Sequence, residues 1–149
     1  MSLESMYQEI ILEHYKNPQG KGLREPFEAE VHHVNPTCGD EITLRAHVVD
    51  GVLTDISYDS QGCSISQASA SVMWDLCNGK SVDEAFALEA EFLTLMQSKG
   101  QLHGDEEVLG DAVAFSGVSQ FPARVKCALL GWMAMKDAVS QSIGVGNDR

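Results

Sequence analysis

Three cysteines and an aspartate are the side chains whose types could do chemistry together: Cys38 and Asp40 flank Gly39, Cys63 follows, and Cys127 lies far toward the C-terminus. Three soft thiolates and one hard carboxylate, gathered from separate segments, can close a tetrahedral shell around zinc or hold an iron–sulfur centre. Pro36 bends the chain ahead of the first pair, and Gly39 lets the residues on either side of it point at one centre. Cys63, after Gln61-Gly62, falls where a strand gives way to a helix, so its side chain meets unpaired helix N–H groups that favour a thiolate. Spacing alone leaves an alternative open, because cysteines this far apart can each be buried separately as small hydrophobes. Cys77 belongs to that second class. If it shares a helix with Cys63, a rise of about 1.5 Å per residue puts the two roughly 21 Å apart, and its neighbours Trp74 and Leu76 suit a core.

Other reactive constellations lack support. The five histidines, at 14, 32, 33, 47 and 103, form no H-x-x-x-H pair and adjoin no candidate cysteine; packing is expected for four, and a solvated loop for His103. Neither a G-x-S-x-G elbow, nor a phosphate-cradling loop, nor a dinucleotide fingerprint occurs.

The elements that must position the cysteines read as follows. Leu3, Met6, Tyr7, Ile10, Ile11 and His14 recur at helical spacing, giving a helix over Leu3 to Tyr15 that Asn17-Pro18 ends. Phe27 to Val34 and Glu41 to Val49 alternate as half-buried strands, and Asp50-Gly51 is a hairpin signal that returns Val52 to Tyr58 as a third. Cys38 and Asp40 then sit in the first hairpin. A helix from Cys63 through Leu76 stops at Asn78-Gly79, and Ser81 with Glu84 caps another running to Met96. An exposed connection over Ser98 to Glu107 precedes a short helix at Val108 to Phe115; a last helix runs from Pro122 to Val139, with a disordered tail over 144–149. The order predicts one α+β domain over 1–149, a small three-stranded antiparallel sheet with helices on one face.

Ten Lys and Arg against 22 Asp and Glu leave a net charge of −12, which repels phosphate backbones and anionic membranes. Neither nucleic acid nor membrane is an expected partner; even Ala128 to Met135 is stopped by Lys136-Asp137 before reaching the roughly 20 residues of a span. Met1-Ser2-Leu3-Glu4 leads straight into charged residues rather than a signal region, so a cytoplasmic protein with reduced thiols is expected.

Four segments carry a resemblance: Tyr7 to Pro18 (YQEIILEHYKNP), Asn35 to Asp40 (NPTCGD), Gly62 to Ser66 (GCSIS) and Phe121 to Cys127 (FPARVKC). Together they resemble the IscU/NifU N-terminal superfamily of iron–sulfur assembly proteins, most closely its SufU branch. Scaffolds of the IscU type carry a histidine just before the third cysteine, where this chain has Lys126, and a segment rich in Pro, Val and Lys upstream, where it has Phe121-Pro122-Ala123-Arg124. The long stretch between Cys63 and Cys127 suits the SufU-type insertion, placed within Glu89 to Asp111.

The resemblance implies a SufE/NifU-like sandwich and zinc-dependent sulfur acceptance from a SufS-type cysteine desulfurase, with delivery to a SufBCD-like assembly complex. Cys38, Asp40, Cys63 and Cys127 would hold the zinc; Cys38, displaced when the desulfurase lends a histidine to the metal, would carry the sulfur. Asp40 would help position Cys38, and Arg124, one helical turn before Cys127, would stabilise a thiolate or persulfide or else be an ordinary surface arginine; Lys126 is expected to be solvated. The rival readings are a scaffold carrying iron or a [2Fe–2S] cluster on the same ligands, and a zinc-stabilised adaptor without sulfur chemistry.

Overall fold

Alternation of apolar and polar residues builds the sheet. In the computed structural model, which describes residues 2–147, β1 (Ala29–Asn35), β2 (Asp40–Val49) and β3 (Val52–Gln61) pair antiparallel in the order β1-β2-β3. Register sets Ala29 opposite Ala46, Asn35 opposite Asp40, and Ala46 opposite Ile56. Asp50 and Gly51 both take positive φ, +51° and +76°, the conformation a tight two-residue hairpin needs. The inward row of Val31, Ile42, Leu44, Ala46, Ile56 and Tyr58 is buried; the opposite face carries Glu30, His32, Thr43 and Arg45.

Helices cover the inward face. α1 spans Leu3–Lys16, α2 Ser64–Cys77, α3 Val82–Met96, α4 Glu106–Leu109 and α5 Pro122–Asn147, with a 3-10 segment over Gly110–Gln120. α5 lies against β1 and β2, and α2 packs between α1 and α5. Phe92 of α3 stacks on Trp132 of α5, centroids 4.5 Å apart, and meets Phe115 edge-on. None of the described helices is long and apolar enough to cross a membrane.

Two departures from the sequence-based expectation stand out. The short helix expected at Val108 starts at Glu106 and tightens into a 3-10 segment at Gly110, whose φ of +49° breaks the α-helical path. The last helix continues past Val139 to Asn147, so residues 144–147 of the expected tail are helical; 148 and 149 lie outside the described residues.

The crossing of α2 and α5 positions the cysteines. A β-carbon on Gly131 would come within 3.2 Å of the Ala70 Cα and Cβ, so the absent side chain lets the helices approach closely. Trp132 Nε1 donates to Ser69 Oγ at 3.1 Å, and Ser69 Oγ donates to the Ala128 carbonyl at 2.6 Å. These buried bonds fix the α5 turn bearing Cys127 against the helix headed by Cys63.

Candidate metal centre

Cys38 sits at the tip of a four-residue turn, Pro36 to Gly39, between β1 and β2. The Asn35 carbonyl accepts the N–H groups of Cys38 (3.3 Å) and Gly39 (2.9 Å), and Gly39 takes φ +73°, which turns the chain back into β2. The tip leaves Cys38 exposed, while Asp40, the first residue of β2, is completely buried. Asp40 Oδ1 accepts the Cys63 N–H at 2.9 Å, and Oδ2 lies 3.9 Å from Cys63 Sγ.

Cys63 is the N-cap of α2 and is exposed. Its thiol makes no hydrogen bond to the first-turn N–H groups, unlike the sequence-based expectation; it lies 3.8 Å from Ser66 Oγ, whose hydroxyl donates to the Cys63 carbonyl. Cys127, in the first turns of α5, is 2% exposed, with its sulfur 3.4 Å from Cys38 Sγ. Burial, reinforced by hydrogen bonds with Asp40, Cys38 and Cys63, pushes the Cys127 thiol well above the usual range, so without a cation it keeps its proton.

One ligand atom each from Cys38, Asp40 and Cys127 lies within 4.8 Å of the other two, an arrangement that can hold a metal ion. Bonds of about 2.0–2.3 Å in a tetrahedral shell set neighbouring ligand atoms about 3.3–3.8 Å apart, and the Cys38 and Cys127 sulfurs stand 3.4 Å apart. The donor set therefore fits zinc. Cys63 borders the group through its contact with Asp40.

Residues 6–141 match the model of the NifU-like N-terminal domain. The chain belongs to this family. Its relatives include the zinc-dependent sulfurtransferase SufU of Bacillus subtilis, 40% identical across 96% of this chain and 95% of that protein. The iron–sulfur cluster assembly scaffold protein IscU of Streptococcus pyogenes is 39% identical across 94% of this chain and 86% of its own length. Among solved structures, the N-terminal part of a NifU-like protein from Brucella abortus superposes with a TM-score of 0.84 at 27% identity, covering 95% of this chain and 97% of that one. The family fold is thus the α+β sandwich expected from the sequence, and the chain stands among the SufU and IscU proteins of iron–sulfur cluster assembly at almost equal identity to both.

The fold groups Cys38, Asp40 and Cys127, with Cys63 at the border of the group rather than within it, and leaves Cys77 elsewhere, wholly buried near the end of α2, with burial pushing its thiol up to about 12. Arg124 is exposed; its guanidinium lies 5.1 Å over the Phe121 ring and makes no hydrogen bond to the three sulfurs among the described residues. Lys126 is exposed. His14, buried, bonds Ser71 Oγ at 2.7 Å and Asp111 Oδ2 at 2.9 Å, a packing role as expected, and His103 is exposed in its connection. Two residues of the centre escaped the sequence reading. The Asn35 side-chain amide donates to Cys127 Sγ at 3.7 Å, and Gly62 presses its backbone against the Asp40 carboxylate. Both lie in segments that signalled the family, beside cysteines that drew the attention.

Proposed function

We propose that this chain is a zinc-dependent sulfurtransferase of iron–sulfur cluster assembly, taking persulfide sulfur from a SufS-type cysteine desulfurase on Cys38 and passing it to SufBCD-like machinery. The observation that carries the reading is the contrast within the centre: Asp40 and Cys127 are buried, whereas Cys38 stands exposed at a turn tip. Its sulfur has no N–H or O–H donor among the described residues; the recorded neighbour is the Cys127 thiol. Cys63, though also exposed, is tied through its N–H to Asp40 at the head of α2. Cys38, exposed at the turn tip and held through its backbone to Asn35 rather than to another candidate ligand, is the donor assigned to release.

Cys38, Asp40, Cys63 and Cys127 would hold the zinc, which when bound keeps thiols deprotonated without changing its own oxidation state. The Cys38 thiolate attacks the outer sulfur of the donor's persulfide. A new S–S bond forms on Cys38, the donor's S–S bond breaks, and the donor cysteine leaves as a thiolate with that electron pair. Cys63, Cys127 and Asp40 stay in place through the transfer. Lys126, where the scaffold type has a histidine, supports the sulfurtransferase over the scaffold.

A cysteine desulfurase assay tests the proposal. Wild-type protein should accelerate turnover and acquire one labile sulfur on Cys38, and Cys38→Ala should do neither while retaining zinc; undiminished stimulation by Cys38→Ala rules out the carrier role. The likeness to IscU at 39% identity motivates the second reading, a cluster scaffold. Anaerobic reconstitution yielding a transferable [2Fe–2S] chromophore that zinc abolishes would favour it.

A further inference from the structure

Asn35, which is not itself a candidate ligand, meets three residues of the centre: Asp40 across the ladder, the Cys38 N–H and the Cys127 sulfur. It ends β1 opposite Asp40, it is 7% exposed, and its carbonyl holds the Cys38 and Gly39 N–H groups that shape the turn. Its side-chain amide crosses to α5 and donates to Cys127 Sγ at 3.7 Å. The backbone of this residue thus governs the exposed cysteine, and its side chain the buried one.

We propose that Asn35 is a positioning residue of the metal centre, whose amide N–H anchors the Cys127 sulfur as a standing ligand while the turn built on its carbonyl presents Cys38. This deepens the zinc-site reading given above and rests on it. An N–H donor aimed at a thiolate lowers the cost of burying that charge and fixes the direction of the sulfur lone pairs. Of the two thiols in contact, Cys38 exposed and Cys127 buried, only Cys127 has a side-chain N–H donor among the described residues, which adds to the difference in exposure a reason for Cys127 to stay. The Ala123 carbonyl, 3.6 Å from the same sulfur, is an acceptor, so among the described residues the Asn35 amide is the N–H donor directed at it.

The test uses Asn35→Ala and Asn35→Leu, the second close in volume and unable to donate. Zinc affinity is measured by competition with a chromophoric chelator, the sulfur-to-metal charge-transfer band is recorded on the cobalt-substituted protein, and the thermal midpoint is taken without metal. Both variants should bind zinc about 10- to 100-fold more weakly, as loss of an outer partner of a metal ligand typically does, and shift the cobalt band to lower energy. The same loss should appear in a Cys38→Ala background, because the amide acts on Cys127; it is therefore independent of whether Cys38 carries sulfur. Wild-type affinity with an unmoved band in both variants, or a lowered metal-free midpoint as the only change, overturns the proposal.

Discussion

At the scale of single residues, the centre is built as much by what is missing from a side chain as by its donors. Gly62 has φ +151°, and a β-carbon there would collide with Asp40 Oδ1 and stand 2.8 Å from both Asp40 Cγ and Ser66 Oγ. Gly62→Ala must therefore strain the backbone and push the carboxylate off the Cys63 N–H at once. The expected cost is about 1–3 kcal/mol in metal-free denaturant unfolding, accompanied by weakened zinc binding in a chelator competition; an alanine variant with wild-type values in both would show that Asp40 relaxes freely. The four candidate ligands were legible because Cys and Asp announce chemistry by type and their flanking segments match a family. Gly62 and Asn35 were not, since a glycine names no contact, and an asparagine before a turn reads as turn chemistry until α5 is seen to bring Cys127 beneath it. The low-donor surroundings of Cys63 also needed coordinates: its N–H is spent on Asp40, and its thiol makes no hydrogen bond to the first-turn amides.

At the scale of elements, charged pairs join α5 to the elements around it. Glu89 of α3 is 2% exposed, with one carboxylate oxygen 3.6 Å from Lys136 Nζ and the other without a partner among the described residues. Removing the ammonium leaves a buried charge unpaired, so Lys136→Met should cost about 1–3 kcal/mol, discounted because the lysine is half exposed, whereas the double change with Glu89→Leu should restore much of it. Chemical denaturation of both variants checks the order; equal stabilities would deny the pair any role. Where α5 meets β1, His33 Nε2 bonds Asp137 Oδ2 at 2.8 Å, and this bond with that from Gln141 holds the aspartate carboxyl below its usual range, against the opposing effect of burial. A depressed carboxyl contributes stability present above about pH 4, its unfolded value, and lost as pH falls through the folded one. His33→Ala should raise the Asp137 titration midpoint toward the ordinary value in carboxyl NMR and reduce the acid loss of stability; an unmoved midpoint would assign the shift elsewhere. The β-strands, the Asp50-Gly51 turn and the Ser81 cap were readable because their signals are local: period-two burial, positive φ, and a hydroxyl accepting the Glu84 N–H at 3.1 Å. The 3-10 stretch and the extension of α5 were not, because Gly110 is an ordinary-looking glycine until its positive φ is known, and the glycines at 144 and 146, of a type that weakens helices in isolation, do not end α5.

At the scale of the whole molecule, the centre joins three parts remote along the chain: the β1–β2 hairpin, the head of α2 and the start of α5. On a chain already at −12, the buried thiol of Cys127 resists ionising without a cation. A bound divalent metal would offset the charge of its ligands and clip the three parts together, so binding free energy becomes folding free energy. At a free zinc concentration 1,000 times the dissociation constant the gain is about 4 kcal/mol, which for a domain of this length corresponds to a rise of roughly 8–16 °C in Tm. Chelation should reverse it. The size of the fall should also rank the ligands: Cys127→Ala, which takes away the buried sulfur and its Asn35 contact, should abolish the zinc-dependent rise, while Cys38→Ala, which removes the exposed tip, should keep a substantial part of it. Differential scanning calorimetry with and without chelator measures both. If Cys38→Ala loses the whole rise as Cys127→Ala does, then Cys38 is as firmly built into the fold as its buried neighbour, and a donor so needed for stability cannot be the one released to receive sulfur.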